Sequence, residues 1–372
     1  MCYSNTRIDR LRAKLKVEGL GALYVRNVSN IQWITAFDGV FDGENAHALL
    51  ITPEHVFLHT DARYVLACKT AAAGSEVMID CAEGTHAEWL ALVVNEEELQ
   101  DAPLGIENNI ALVEYRKLQE SLAASRIAPA ILRETENFVL GLRAIKDAEE
   151  VRRMKAAQAI TDAAFTHIVG YLRPGLTERE VQLELERFML AEGGEALAFS
   201  SIVAAGANGA NPHAIPGATK LKTGDSLVLD FGTCIGGYCS DMTRTVFLGK
   251  PSDRVVRAYN AVREANEKVS AYLKPGITGA QAQKLAEDIL AARGFEGAMG
   301  HSLGHGVGLE VHEEPALSKK NTTALEPGNV VTVEPGVYLE NDFGIRIEDF
   351  GVITDDGFEV FTQSSHDMVI IG

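Results

Sequence analysis

"YLRPGLTEREVQLELERFMLAEGG", residues 171–194, and "YLKPGITGAQAQKLAEDILAARGF", residues 272–295, are two versions of one segment. Each reads as a helix end, a Pro-Gly turn, a threonine N-cap (Thr177, Thr278) and a second, amphipathic helix. A second pair follows them: "GDSLVLDFG", 224–232, and "GNVVTVEPG", 328–336. In both, a glycine opens a short strand that closes on a carboxylate, a spacer and another glycine. Tyr171 lies 59 residues before Asp230, and Tyr272 lies 62 before Glu334. A period on the order of a hundred residues is too long for a solenoid. The pattern predicts two similar halves folded against each other, with any site formed where they meet.

Upstream, the chain alternates helix and strand. Residues 6–18 read as an amphipathic helix, "GALYVRN", "AHALLIT" and "HVFLHTD" as strands, 62–73 as a helix, "PLGIEN" as a strand and 112–124 as a helix. That alternation predicts a smaller α/β domain over residues 1–134, followed by the duplicated domain over 135–372. The segment 136–172, rich in charge pairs at helical spacing, reads as one long helical stretch.

Bulk properties exclude some partners. With 372 residues the chain is long enough for two cores. A formal net charge of −18 argues against nucleic acid and anionic membranes. The first twenty residues have no apolar signal-peptide core, and no apolar run is long enough to span a bilayer. The five cysteines, Cys2, Cys68, Cys81, Cys234 and Cys239, include no CxxC. Reduced, structural thiols in a cytoplasmic protein are the expectation. A cross-link or shared ligand between Cys234 and Cys239, across "IGGY", is the minor alternative.

The segment "HSLGHGVGLEVHEEP", 301–315, places His301, His305 and His312 among Gly304, Gly306 and Gly308. It lacks the His-Glu-x-x-His pattern of a helical zinc site, and its glycines favour extended backbone in close approach to a ligand. Partners for the imidazoles come from four carboxylates in apolar strands: Asp230 and Asp241 in one half, Glu334 and Glu348 in the other. Taken singly, Asp230 and Glu334 read as turn residues and Glu348 as part of an exposed edge. Taken together, at matching places in a duplicated unit, they point to a site. Buried carboxylates without compensation would take up protons. Two divalent cations would neutralise four of them, with His305 as a nitrogen ligand. An oxygen-rich shell with one imidazole suits Mn, Co or Zn.

The motifs "LVLDFG", "SDMTRTV", "HSLGHGVGLEVHEEP", "VTVEPGVY" and "GIRIEDFGVI" together resemble the pita-bread metallopeptidases, the family of aminopeptidase P, prolidase and methionine aminopeptidase. The N-terminal part, with "RNVSNIQWITAFDG", more loosely resembles the creatinase-type N-terminal domain. The resemblance implies an α+β protein: a pita-bread catalytic domain of two duplicated α/β halves behind a creatinase-like α/β domain. It implies a two-metal site held by Asp230, Asp241, His305, Glu334 and Glu348, with Glu334 also shuttling a proton. His213 (in "NGANPHAIPG") and His312 would polarise the substrate carbonyl, and His301 and Arg346 would line the pocket near the leaving proline. An ion pair of Arg346 with Glu348 or Asp349 is the competing role. The implied activity is Xaa-Pro aminopeptidase; the alternative is Xaa-Pro dipeptidase (prolidase). Methionine aminopeptidase and a non-catalytic binding protein of the same fold are more distant alternatives. A peptide substrate and a homodimer complete the expectation.

Overall fold

The computed structural model describes residues 3–372, so Cys2 lies outside the described residues. The chain divides into two compact units, residues 1–143 and 144–372. The boundary read from sequence, 134/135, falls inside the last strand of the first unit, Leu132–Thr135.

The first unit is built on a six-stranded mixed sheet. Its order is Val77–Asp80, Val56–His59, Ala48–Ile51, Ala22–Val25, Leu104–Glu107, Leu132–Thr135. Tyr24, Leu50, Ile106, Trp89, Leu90 and Leu118 pack one core on it. Sequence periodicity missed four of its helices and strands: the helices Val28–Thr35 and His86–Glu96 and the edge strands Val77–Asp80 and Leu132–Thr135. The strand Val77–Asp80 is half exposed, so it carries little apolar signal.

The second unit opens on the expected helical stretch, but that stretch is interrupted. A short helix, Leu140–Arg143, ends the first unit, and the long helix Ala148–Tyr171 begins five residues later. Asp147 imposes the break: its side chain caps the Glu149 and Glu150 N–H groups while Glu150 bonds back to the Asp147 N–H. Charge pairs at helical spacing do not reveal such a restart.

The repeat is realised as two like halves. Helices Ala148–Tyr171 and Glu178–Ala191 cover one sheet; helices Asp253–Tyr272 and Gly279–Ala292 cover the other. Thr177 and Thr278 each form a complete capping box, with Glu180 and Gln281. Strand Ser226–Phe231 pairs antiparallel with Met242–Leu248, and Val330–Val333 with Asp349–Ile353. Between the members of each pair a small hairpin is inserted: Thr233–Ile235 with Tyr238–Cys239, and Gly336–Leu339 with Phe343–Arg346. The four site carboxylates stand at the necks of these insertions. Apolar clusters around Leu227, Leu229 and Val181 and around Val331, Val333 and Ala286 back the two sheets. Among the described residues no helix is long and apolar enough to cross a membrane.

Candidate metal centre and peptide cleft

The two halves are joined edge to edge by hydrogen bonds that also set the site. The Glu348 N–H donates to the Thr243 carbonyl at 3.0 Å, and Thr245 exchanges hydrogen bonds with the Arg346 backbone at 2.9 and 3.1 Å. Asp230 lies opposite Thr243 in its ladder, and the rung Val333–Asp349 brings the Glu334 and Glu348 ends together. Asp241, just before strand Met242–Leu248, sits outside the ladder.

Ligand atoms of Asp241, His305 and Glu348 all lie within 4.8 Å of one another. His305 Nε2 is 3.6 Å from an Asp241 oxygen and 3.4 Å from a Glu334 oxygen. Asp230 Oδ2 accepts from Arg346 at 2.5 Å, while its other oxygen is buried without a hydrogen-bond partner. Asp241 and Glu348 are buried. Burial, then the charges of Asp230 and Glu334, push the Asp241 carboxyl well above the usual range. Burial, then the Asp241 charge, does the same to Glu348. Burial pushes Glu334 up to about 8 against the pull of Arg346. His305 is held down to about 4 by burial and by neighbouring His312, so its imidazole is neutral near pH 7.

A carboxylate group this crowded, served by one guanidinium, with a neutral imidazole and an unpartnered oxygen, is a donor set short of positive charge. It fits hard or borderline divalent cations, whose preferred donors are oxygen and imidazole.

The same cavity, about 410 Å³, is lined by Asp230, Asp241, His305, Glu334, Glu348 and by the remaining expected residues His213, His301, His312 and Arg346. His213 and His312 are exposed at its mouth. The His305 and His312 rings meet edge to face at 4.3 Å. His301 Nδ1 donates to the Ser302 carbonyl at 2.7 Å, leaving Nε2 to accept from the Tyr338 hydroxyl at 3.0 Å.

Two expectations are corrected here. Arg346 pairs with neither Glu348 nor Asp349: its forked head meets Asp230, the Tyr338 oxygen at 2.7 Å and the Thr243 oxygen at 2.9 Å. Asp349, on the other face of its strand, is taken by Arg244 at 2.7 Å. Gly304 and Gly306 do not open room for a ligand. A side chain at Gly304 would stand 2.1 Å from the Thr332 carbonyl oxygen, and one at Gly306 2.4 Å from that of Glu314. They are there so that neighbouring strands can close on the His305 segment.

Sequence reasoning missed Thr243 and Tyr338. Thr243 Oγ1 donates to Glu348 at 2.7 Å while accepting from Arg346, so it fixes both. Tyr338 spans His301 and Arg346. The signal lay in strand spacing: Gly336 and Tyr338 share a face, and Gly336 pairs with Arg346. A side chain at Gly336 would come within 2.6 Å of the Tyr338 ring, so the phenol fills the space that this glycine leaves.

Residues 152–355 match the profile of metallopeptidase family M24, and residues 7–145 that of the creatinase/prolidase N-terminal domain. The chain belongs to metallopeptidase family M24. The Xaa-Pro dipeptidase from Bacillus anthracis is similar along the whole length of this M24 chain: 36% identity, TM-score 0.91, with 99% of this chain and 100% of that one covered. An X-Pro aminopeptidase from Thermotoga maritima has 32% identity and a TM-score of 0.84, covering 96% and 100%. The Xaa-Pro dipeptidase of Lactobacillus helveticus is 30% identical, with 98% of each chain covered. The family, the pita-bread fold behind a creatinase-type domain and a peptidase activity are thereby established. Asp230, Asp241, His305, Glu334 and Glu348 of this M24 chain stand on strands and loops contributed by both halves.

Proposed function

We propose that this chain is an Xaa-Pro dipeptidase, releasing the residue that precedes proline in a dipeptide. The observation that carries a metal-dependent peptidase is the convergence of Asp230, Asp241, His305, Glu334 and Glu348 in one cavity with too little positive charge. The dipeptidase reading, rather than aminopeptidase P, is supported by full-length similarity to proteins described as Xaa-Pro dipeptidases. The cavity volume agrees with it, lying near the small end of the range for ligand pockets.

The five residues would hold the cations, with manganese, cobalt or zinc suited to that donor set. Bound there, the metal supplies Lewis acidity, which makes a nucleophile available from water near neutral pH. Glu334 accepts a proton from the attacking water and passes it to the proline nitrogen as that group leaves. His213 and His312, at the mouth, donate hydrogen bonds to the carbonyl oxygen as it gains charge. Arg346, locked by Asp230, Tyr338 and Thr243, fixes the floor of the cavity, and His301 forms its wall. Phe199, Ile202 and Pro216 give the cavity an apolar side against which a pyrrolidine ring packs. An Xaa-Pro bond has no N–H for a strand-reading peptidase to recognise, so a shaped apolar wall is the available means of selection.

The test is the rate on an Xaa-Pro dipeptide against that on an Xaa-Pro-Xaa tripeptide, with metal content measured on the same sample. The dipeptide is expected to be the better substrate. Faster cleavage of the tripeptide returns the assignment to Xaa-Pro aminopeptidase, and release of methionine from Met-Ala alone selects methionine aminopeptidase.

A further inference from the structure

The hairpin inserted between Phe231 and Met242 carries two sulfurs. Its turn, Gly236-Gly237, has positive φ at both residues (57° and 79°), as a tight two-residue hairpin turn requires. Ile235 faces Tyr238, and Cys234 faces Cys239. The next rung is closed by the Ser240 N–H on the Thr233 carbonyl at 2.8 Å. The Cys239 N–H instead points away from the hairpin, to the Gly308 carbonyl at 2.8 Å. Cys234 and Cys239 are therefore a non-hydrogen-bonded pair, the kind in which opposed Cα atoms come closest, at about 4.5 Å. A disulfide accepts Cα separations from about 4.4 to 6.8 Å. The two sulfurs are 3.3 Å apart, both thiols are free and both residues are buried.

We propose that Cys234 and Cys239 form a reversible redox modification site, oxidised by hydrogen peroxide to a cross-strand disulfide and restored by a small dithiol. The Cys234 sulfur, as thiolate, attacks one oxygen of the peroxide. An S–O bond forms, the O–O bond breaks, and the departing oxygen leaves as water after taking up a proton. The Cys239 sulfur then displaces the remaining oxygen as a second water, forming S–S and breaking S–O. Two thiols lose two electrons and the peroxide gains them. The backbone is already in register, so the sulfurs need only close the remaining gap by side-chain rotation.

The location gives the modification a consequence. Cys239 stands two residues before Asp241, and its N–H holds the Gly308 carbonyl in the segment that carries His305 and His312. A disulfide locks the hairpin at the foot of the acid cluster. This inference does not depend on which peptide is cleaved.

The folded protein is treated with hydrogen peroxide, its remaining thiols are alkylated, and non-reduced peptides are weighed. The expected result is a peptide spanning 234–239 that has lost two hydrogens and escapes alkylation, with both effects reversed by dithiothreitol. Amide exchange over 233–241 should slow on the order of tenfold in the oxidised form. Cys234→Ser should abolish the mass loss while leaving peptidase activity before oxidation unchanged. The mass of the unsubstituted chain decides the matter even if that variant folds poorly. Alkylation of both cysteines after peroxide, or their separate conversion to sulfinic acids, overturns the proposal. So does a cross-link that appears only through exposed Cys81.

Discussion

Glu348 and Asp349 are neighbours in the chain, both buried, and the fold treats them in opposite ways. Asp349 faces protein donors: Arg244 binds one oxygen at 2.7 Å and His366 the other at 2.7 Å. Although burial works against its charge, Arg244 and His366 hold its carboxyl below the usual range. Glu348 faces Asp241, Glu334 and Asp230, and burial together with those charges drives its carboxyl far up. Glu348 immediately precedes the strand Asp349–Ile353, so one backbone step separates a satisfied ion pair from a carboxyl whose charge the protein does not compensate. A buried carboxylate that the chain itself neutralises is architecture. One that it crowds with others of the same sign is a place for a cation from outside.

The sharpest way to break this comparison is to remove a proposed ligand. Asp241→Ala or His305→Ala should reduce peptide hydrolysis on the order of 10²-fold or more while leaving the circular dichroism spectrum intact. Retained turnover in either variant would sink the proposed centre. Asp349→Asn probes the other face: it leaves Arg244 buried beside a neutral partner and should lower stability by about 3–5 kcal/mol in denaturant titration. Glu348→Gln should instead raise the melting temperature of the metal-free chain at alkaline pH, where it removes one of the repelling charges.

The pH dependence follows with a definite sign. A carboxyl whose folded pKa is raised contributes stability that is fully present below its unfolded value and is lost as pH rises through its folded value. For Glu334 that window runs from about 4.5 to about 8. Melting temperatures of metal-free protein should therefore fall across it, and added divalent cation should restore more stability at pH 8 than at pH 5. A flat profile, or equal restoration at both, would contradict the charge deficit. The smallest effect is expected from Tyr338→Phe, which deletes two hydrogen bonds but no charge. It should cost about 1–2 kcal/mol and raise KM more than it lowers kcat.

Much of the site was legible in the chain because duplication printed it twice. The matched strands put Asp230 and Glu334 at like positions, and the histidine segment stood out by its own composition. The partner of Arg346 was not legible. The sequence places that arginine two residues from Glu348, whereas the fold carries it to Asp230, 116 residues away. Thr243 and Tyr338 were equally hidden, since a threonine in a strand and a tyrosine in a hairpin have ordinary local roles. The glycines were noticed but misread, because the atoms they make room for belong to distant strands.

By itself the sequence determined that the chain has two like halves, each ending strands on carboxylates, and raised the expectation that these are met by cations. Periodicity and charge are local properties, and they survive translation into structure. Only the tertiary fold decided which carboxylate keeps an arginine, which keeps a threonine and which is left short of charge. That choice depends on which strand edges meet, and here the meeting of Met242–Leu248 with Phe343–Arg346 is made by residues about a hundred positions apart.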